Sequence, residues 1–129
     1  MGYRSDVVLY VRHPEAKARL LMAAIDCELL RDLSTETSAC CDRYEATDEY
    51  VLLEYTDIKW YESYPEVAAA QKFISDCMKL VGDIDDSGYA AVFARIGENQ
   101  DDTVIEGAGD YYDNVSIYRS FDINVGALP

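Results

Sequence analysis

Hydrophobic residues alternate at the start of the chain and then recur at helical spacing. In residues 6–12, DVVLYVR, apolar side chains fall on both sides of an extended segment, which predicts a strand covered on both faces. His13-Pro14-Glu15 predicts the start of a helix that runs to about residue 32, because proline is favoured in a first helical turn. The residues expected to form its buried stripe are Ala18, Leu21, Met22, Ile25 and Leu29.

A hairpin is predicted after this helix. Residues 33–39 are rich in Ser and Thr and indicate a loop. The segments 40–46 and 49–57 then alternate in the manner of two strands, and Thr47-Asp48 supplies the turn between them.

The second predicted helix is marked at both ends. Ser63 and Glu66 have the spacing of a capping box, Pro65 lies in the first turn, and Gly82 provides a stop signal. Its apolar stripe comprises Val67, Ala70, Ile74, Cys77, Met78 and Val81.

Two further segments, 89–96 and 115–123, alternate and predict strands. The order β-α-β-β-α-β with an extra C-terminal strand predicts an α+β fold of the ferredoxin-like type. In this sandwich both helices pack on one face of a largely antiparallel sheet. We expect a single domain over residues 1–129, with the second face of the sheet left uncovered.

The charge of the chain narrows the choice of partners. Among 129 residues, 25 are acidic and 11 are basic, so the formal net charge is −14. This sign opposes direct binding to nucleic acid and to anionic membranes. It suits a basic partner, and the groove of a nucleic-acid-binding protein is one such partner. The same charge also serves solubility, and the sequence leaves both interpretations open.

The N-terminus and the cysteines indicate the cytoplasm. MGYRSDVV lacks the apolar core of a signal peptide, and no apolar run approaches the ~20 residues that cross a bilayer. The 4 cysteines form no CxxC motif and are expected to be free thiols in a reducing compartment. Cys27 and Cys77 should pack as small hydrophobic residues, whereas the pair Cys40-Cys41 has no assigned role.

Candidate catalytic and metal-binding residues form no recognisable motif. His13, the only histidine, is expected on the surface at a strand–helix junction. A zinc site would need His13, Cys40, Cys41 and one more ligand to converge without the usual short ligand spacing. The segment 83–88, DIDDSG, matches the first positions of a calcium loop, but Ala94 stands where the bidentate glutamate belongs. A polar turn is expected there, with weak calcium binding as the alternative, and no cofactor or catalytic residue is predicted.

Acidic residues concentrate in one segment. Between Asp83 and Asp113 there are nine acids against Arg95 alone, so this stretch carries −8 of the −14. If the part around Glu98 were helical, positions 98, 101, 102 and 106 would share one face. The predicted partner-binding residues are Glu98, Asp101, Asp102, Glu106, Asp110, Tyr111, Tyr112 and Asp113. The two tyrosines among them offer rigid contact area of the kind enriched in interfaces.

A second candidate patch precedes the capped helix. Residues 59–64, KWYESY, contribute Trp60, Tyr61 and Tyr64 as an aromatic surface. The alternative is that Trp60 anchors this loop on the core.

Three stretches of the chain are distinctive: MGYRSDVVLYV at residues 1–11, DIKWYESYPEV at 57–67 and FARIGENQDD at 93–102. They resemble a group of uncharacterised small acidic proteins of tailed bacteriophages and prophages that open with MGYRSDV. The resemblance covers most of residues 1–102. It implies a phage origin and action in the cytoplasm of a bacterial host cell, and it implies no particular activity.

We therefore expect a non-enzymatic phage accessory protein that binds a host protein through the acidic segment. Small phage proteins of this kind include mimics of DNA charge that block host defence or take over host machinery. The alternative class is a homo-oligomeric assembly module, for example a homodimer, that uses an aromatic and apolar surface. An enzyme is the least favoured reading, because close carboxylate pairs arise by chance in so acidic a chain.

Overall fold

The computed structural model describes residues 4–25, 27–30, 41–82, 89–98, 102–109, 115–117 and 121–123. The strands are β1 (Ser5–Arg12), β2 (Cys41–Ala46), β3 (Tyr50–Ile58), β4 (Ala90–Gly97), β5 (Thr103–Gly109), β6 (Val115–Ile117) and β7 (Phe121–Ile123). The helices are α1 (Ala16–Ala24) and α2 (Pro65–Gly82), and a 3-10 turn spans Glu28–Leu30. The predicted loop at residues 33–39 and the DIDDSG turn at 83–88 lie outside the described residues.

The main sheet has five strands in the order β2-β3-β1-β4-β5, and every neighbouring pair is antiparallel. The predicted α+β class is therefore confirmed. The hairpin predicted around Thr47-Asp48 joins β2 and β3, and the Thr47 hydroxyl accepts a hydrogen bond from the Tyr50 N–H at 3.0 Å. The first strand and the strand predicted over 89–96 are confirmed as β1 and β4.

The larger hydrophobic core lies between the sheet and the two helices. Alternate residues of β1, β3 and β4 enter it from the sheet, and both helices cover it. Its members from the sheet include Val7, Leu9, Val51, Leu53 and Phe93.

The second face of the sheet is also buried. Val8, Tyr10, Leu52, Val92 and Ala94 point away from the helices and have no exposed surface. The short strand β6 contacts β4. The expectation of an uncovered sheet face is therefore wrong, whereas the prediction that β1 is covered on both faces is confirmed.

Helix α1 buries a different stripe from the one predicted. It buries Ala16, Leu20 and Ala24, and the chain then continues into Cys27 and Leu30. Leu29 is partly buried against the core, but the rest of the predicted stripe is turned outward: Ala18 is exposed, and Leu21, Met22 and Ile25 are exposed by 53%, 72% and 69%. Apolar residues run consecutively through Leu20, Leu21 and Met22, so their periodicity fits two faces, and packing against α2 and β3 selects one.

Helix α2 follows the prediction more closely. It buries Val67, Ala70, Ile74, Cys77 and Val81 as expected, together with Phe73, and Met78 is partly buried. The capping assignment is wrong by one residue. The Ala68 N–H donates to the Tyr64 carbonyl at 2.9 Å, so Tyr64 is the N-cap and Pro65 is the first helical residue.

Strand β5 lies within the segment expected to be a loop or an acidic helical face. Thr103–Gly109 pairs antiparallel with β4, so the helical arrangement of carboxylates is wrong. Pairing overrides the weak local preference of a strand that contains two glycines. Gly109 has φ +73, and a Cβ there would lie 2.1 Å from the Tyr89 carbonyl oxygen, so glycine is required where the strand ends.

The segment 115–123 was predicted as one strand. It contains two, because β6 and β7 pair with each other antiparallel in a separate two-stranded sheet. Among the helices that the structure describes, none combines the length and the apolar character needed to cross a membrane.

Candidate partner-binding site at the β3 bulge

Strand β3 carries an irregularity at the end where β1 begins. Ser5 lies opposite Ile58 and Val7 lies opposite Tyr55, so β3 has one residue more than β1 across this step. Asp57, in the bulge, has φ 56, the left-handed conformation that non-glycine residues seldom adopt. Such strained positions cluster at functional sites, which makes this end of the sheet a candidate.

Asp6 of β1 and Arg4, which directly precedes β1, hold the strained backbone of Asp57. Its N–H donates to Asp6 Oδ1 at 3.0 Å, and its carbonyl accepts from Arg4 Nη1 at 3.0 Å. These bonds satisfy the peptide groups that the bulge removes from strand pairing. The Asp57 side chain is left exposed.

A groove of about 810 Å³ opens beside the bulge. Its volume falls within the range of known ligand sites. We call it the bulge groove; it is lined by Arg4, Leu29, Thr56, Asp57, Ile58, Lys59, Tyr64, Pro65, Glu66 and Val67. Its apolar residues come from β3, the 3-10 turn and the start of α2, and charged residues stand among them.

A smaller polar cleft of about 180 Å³ adjoins the bulge groove and shares Arg4 and Asp57 with it. This cleft is lined on the far side by Ile96, Gly97 and Glu98 of the β4–β5 hairpin. The Arg4 N–H donates to Glu98 Oε1 at 3.1 Å. Arg4 therefore connects the predicted acidic segment, through Glu98, to the groove that Tyr64 lines.

The described acidic residues of the β4–β5 hairpin differ in what they do. Asp102 forms an ion pair with Arg95, Oδ1 to Nη2 at 2.7 Å, and both side chains are half-buried. Glu98 and Glu106 are exposed. Glu106 lies opposite Phe93 on the outermost strand of the sheet. Asp102 thus acts in the fold, and Glu98 and Glu106 are the described carboxylates of the segment that face solvent.

The remaining predicted members of the acidic site fall outside the described residues. They are Asp101, Asp110, Tyr111, Tyr112 and Asp113. Their participation in partner binding stays a prediction.

The predicted aromatic patch is divided between the core and the surface. Trp60 is buried, with its ring centroid 5.8 Å from that of Tyr55 and 6.1 Å from that of Phe93, so the alternative that it anchors the loop is supported. Within the described part of the chain nothing accepts a hydrogen bond from its indole N–H. Tyr61 and Tyr64 pack edge to face at 5.2 Å, and Tyr64 is 44% exposed at the bulge groove.

His13 is buried, so its expected place at the surface is wrong. Its Nδ1 accepts a hydrogen bond from the Glu15 N–H at 3.0 Å, and its ring lies 4.8 Å from that of Tyr89. Burial lowers the pKa of His13 below its ordinary value, an effect that Glu15 partly opposes and Arg19 reinforces. The neutral imidazole supports the turn that leads into α1.

The two described cysteine side chains are buried, as predicted for small hydrophobic residues. Cys27 Sγ donates to the Glu66 carbonyl at 3.3 Å. Burial raises the pKa of Cys77 to about 12, so its thiol stays protonated at neutral pH and is a poor nucleophile. In the described portion of the chain, no group of three or more His, Cys, Asp or Glu side chains is placed to hold a metal ion.

A polar network occupies the second face of the sheet near β2. Tyr50 donates to Glu45, which also pairs with Arg43, and the Arg12 guanidinium lies over the Tyr50 ring at 5.4 Å. The bond from Tyr50, with a further contribution from Arg43, lowers the pKa of Glu45. These groups neutralise one another, which is the arrangement of a structural network.

Sequence reasoning missed the bulge groove. Tyr64 and Glu98 were identified, but as members of separate patches, and Arg4, Asp57 and Lys59 were not singled out. Their residue types carry no motif, and only the pairing of β1 with β3 and β4 brings them to one end of the sheet. Comparisons with protein-family models, with curated proteins and with solved structures returned no match.

Proposed function

We propose that this protein is a non-enzymatic binding protein of phage origin that docks on a basic surface of a protein in its bacterial host. The observation that carries the proposal is the β4–β5 hairpin, which presents Glu98 and Glu106 to solvent in a chain of net charge −14. A surface of this sign attracts basic proteins and speeds their association.

The chemistry of the described side chains supports binding over catalysis. The Cys77 thiol is held protonated, His13 is committed to the turn before α1, and Asp102 is paired with Arg95. Each of these groups has a structural role in the fold. The exposed carboxylates that remain are suited to electrostatic contact with a partner.

DNA mimicry is a more specific form of the same proposal. Duplex DNA presents one negative charge per ~1.7 Å of its axis, so a mimic needs an ordered row of carboxylates. Glu98 and Glu106 supply two positions of such a row, and its other members would come from Asp101, Asp110 and Asp113. Competition by duplex DNA for the captured partner tests this form.

We further propose that the fold is ferredoxin-like. The order β2-β3-β1-β4, with α1 between β1 and β2 and α2 between β3 and β4, supports this arrangement. Both helices cover the same face, which also agrees with it. Strand β5 extends the sheet beyond β4, and it brings Glu106 to the outer edge.

The binding proposal is tested by affinity capture from bacterial lysate at low and at about 0.5 M salt, with mass spectrometry of the retained proteins. We expect a basic protein at low salt that is lost at high salt. Exchange of Glu98→Lys together with Glu106→Lys should lower its retention about tenfold, which corresponds to about 1.4 kcal/mol.

The matched control exchanges Asp48→Lys and Glu49→Lys in the β2–β3 turn. These acids are also exposed, they lie at the opposite end of the sheet, and their reversal changes the net charge by the same amount. Because Glu49 also pairs with Arg12 at 3.6 Å, the comparison is repeated with Asp48→Lys alone against Glu106→Lys alone, which keeps that ion pair. Equal retention by both variants at matched thermal stability would show that the hairpin is not the binding surface.

A second candidate function is self-association, and the exposed stripe on α1 favours it. Leu21, Met22 and Ile25 form a contiguous apolar patch on one helix face. Sedimentation at two salt concentrations separates the candidates, because an apolar dimer does not weaken with salt. A monomer at high protein concentration, or a dimer unaffected by Met22→Glu, excludes this function.

A further inference from the structure

We infer that the bulge groove binds an extended, basic peptide segment of the partner, with one apolar side chain in the groove and flanking lysine or arginine residues beside the carboxylates of the groove and of the adjoining polar cleft. This inference rests on the proposed function and names the part of the partner that is recognised.

The charges at this end of the molecule favour a cationic occupant. Four carboxylates and two cations line the bulge groove and the adjoining polar cleft: Asp6, Asp57, Glu66 and Glu98 against Arg4 and Lys59. In the bulge groove itself Asp57 and Glu66 are balanced by Arg4 and Lys59, so the excess of negative charge comes from Asp6 and Glu98 in the adjoining polar cleft. Asp57 and Glu66 are exposed, and within the described residues their carboxylates form no ion pair. We expect them to accept hydrogen bonds from a lysine or arginine of the partner.

The floor and wall of the groove suit an apolar side chain. Leu29, Ile58 and Val67 line it from three different elements, and Tyr64 and Pro65 stand exposed at its side. A partially exposed tyrosine provides rigid, amphipathic contact area at low conformational cost. One anchor residue in such a pocket, surrounded by charged contacts, is the usual arrangement of a binding hot spot.

The left-handed Asp57 gives the rim its shape. Its backbone groups are bound by Asp6 and Arg4, which leaves the carboxylate at the junction of the groove and the polar cleft. An occupant that reaches this junction also reaches Glu98. The groove and the β4–β5 hairpin can therefore contact a single segment of the partner.

The test uses blocked five-residue peptides and the methyl NMR signals of Leu29, Ile58 and Val67. The probe is glycine–lysine–leucine–lysine–glycine. One control peptide replaces both lysines by glutamate, and another replaces the leucine by glycine. We expect the probe alone to shift the groove signals in a saturable way, and either replacement to weaken binding by about tenfold or more.

Two kinds of protein variant test separately whether the peptide occupies the groove and whether the carboxylates contribute to binding. Thr56→Trp fills the groove without a change of charge and should abolish the shifts, whereas Ser75→Trp, on the exposed side of α2, should leave them unchanged. Asp57→Asn with Glu66→Gln removes the rim charges, keeps a residue tolerated in the left-handed region, and should weaken binding about tenfold.

Three results would overturn the inference: silent groove signals, equal shifts with the glutamate peptide, or shifts that follow protein concentration alone, which would place a second copy in the groove. Failure here is distinguishable from failure of the proposed function. If lysate capture depends on Glu98 and Glu106 but is unaffected by Thr56→Trp, the function stands and the groove assignment falls.

Discussion

Arg95 of β4 and Asp102, which directly precedes β5, close the β4–β5 hairpin through two parallel hydrogen bonds, Nη2 to Oδ1 at 2.7 Å and Nη1 to Oδ2 at 3.0 Å. The Gly97 N–H also donates to the Asp102 carbonyl at 2.7 Å, so one residue closes the hairpin with its backbone and its side chain. Arg95 reaches the Ser5 hydroxyl on β1 as well. The position of Glu98 therefore depends on Asp102, a residue that the sequence analysis predicted to bind the partner.

Asp102→Asn should lower the free energy of unfolding by about 1–2 kcal/mol, because a half-buried guanidinium loses its charged partner. Chemical denaturation measures the change. Glu106→Gln is the control, since it removes one negative charge from an exposed position of the same hairpin and should change stability by less than about 0.5 kcal/mol. Similar losses of unfolding free energy in both variants would mean that the change in net charge, rather than the loss of the ion pair, causes the destabilisation.

The face that α1 buries is tested by two adjacent leucines. Leu20 is fully buried and Leu21 is 53% exposed. Leu20→Ala should cost about 2–5 kcal/mol, because it removes buried contacts and leaves a cavity. Leu21→Ala should cost less than about 0.5 kcal/mol. Thermal or chemical unfolding measures the stability of the two variants. A larger loss for Leu21→Ala than for Leu20→Ala would mean that α1 buries the stripe predicted from periodicity.

The left-handed conformation of Asp57 makes a prediction about side-chain shape. Asp57→Ala should destabilise the protein by about 1 kcal/mol, since alanine lacks the local polar group that helps aspartate to adopt positive φ. Asp57→Gly should be close to neutral, because relief of strain and added freedom of the unfolded chain oppose each other. Unfolding midpoints that coincide for the two variants would show that the conformation carries no strain.

His13 should make stability fall as the solution becomes acidic. Its pKa is lowered in the folded protein from the ordinary 6.5, so below that pH the unfolded chain binds the proton more readily. The contribution of the neutral His13 to stability is fully present above about pH 6.5. It is lost as the pH falls from there toward the pKa of His13 in the folded protein.

The variant His13→Asn isolates this effect. Its side-chain oxygen can accept the Glu15 N–H in place of Nδ1, and it does not titrate. Denaturation at a series of pH values should show the stability of the variant gaining on that of the natural protein below pH 6.5. A constant difference across that range would remove His13 as the cause.

Particular residues show how much of this structure the sequence predicts. Val7 and Val8 predict a strand buried on both sides, and Pro65 and Gly82 fix the ends of α2, because these signals are local. Leu20 and Leu21 have equal claims to the core, and the choice depends on the neighbours of α1. Strand β5 likewise depends on β4, since its own residues form strands weakly.

Part of the candidate site could be predicted from the sequence, because some of its residues carry a local signal. Glu98 and Tyr64 are visible as an acid in an acidic segment and an aromatic residue in an aromatic one. Arg4 and Asp57 became relevant only through their hydrogen bonds, which join residues 53 positions apart. A single sequence carries no local signal for such a contact.

The burial of both faces of β1 has a consequence for folding accuracy. In a sheet with one solvent-exposed face, a strand that shifts its register by one residue exposes its apolar side chains, so the shifted register is unfavourable. Strand β1 is apolar on both sides, so such a slip would still bury them. What it would lose are the polar contacts at its ends, where Asp6 accepts the Asp57 N–H and Arg12 covers the ring of Tyr50. Asp6 and Arg12 therefore fix the register of β1. Replacing both with alanine should increase the fraction of molecules that refold slowly from a shifted register more than it increases the fraction that is unfolded.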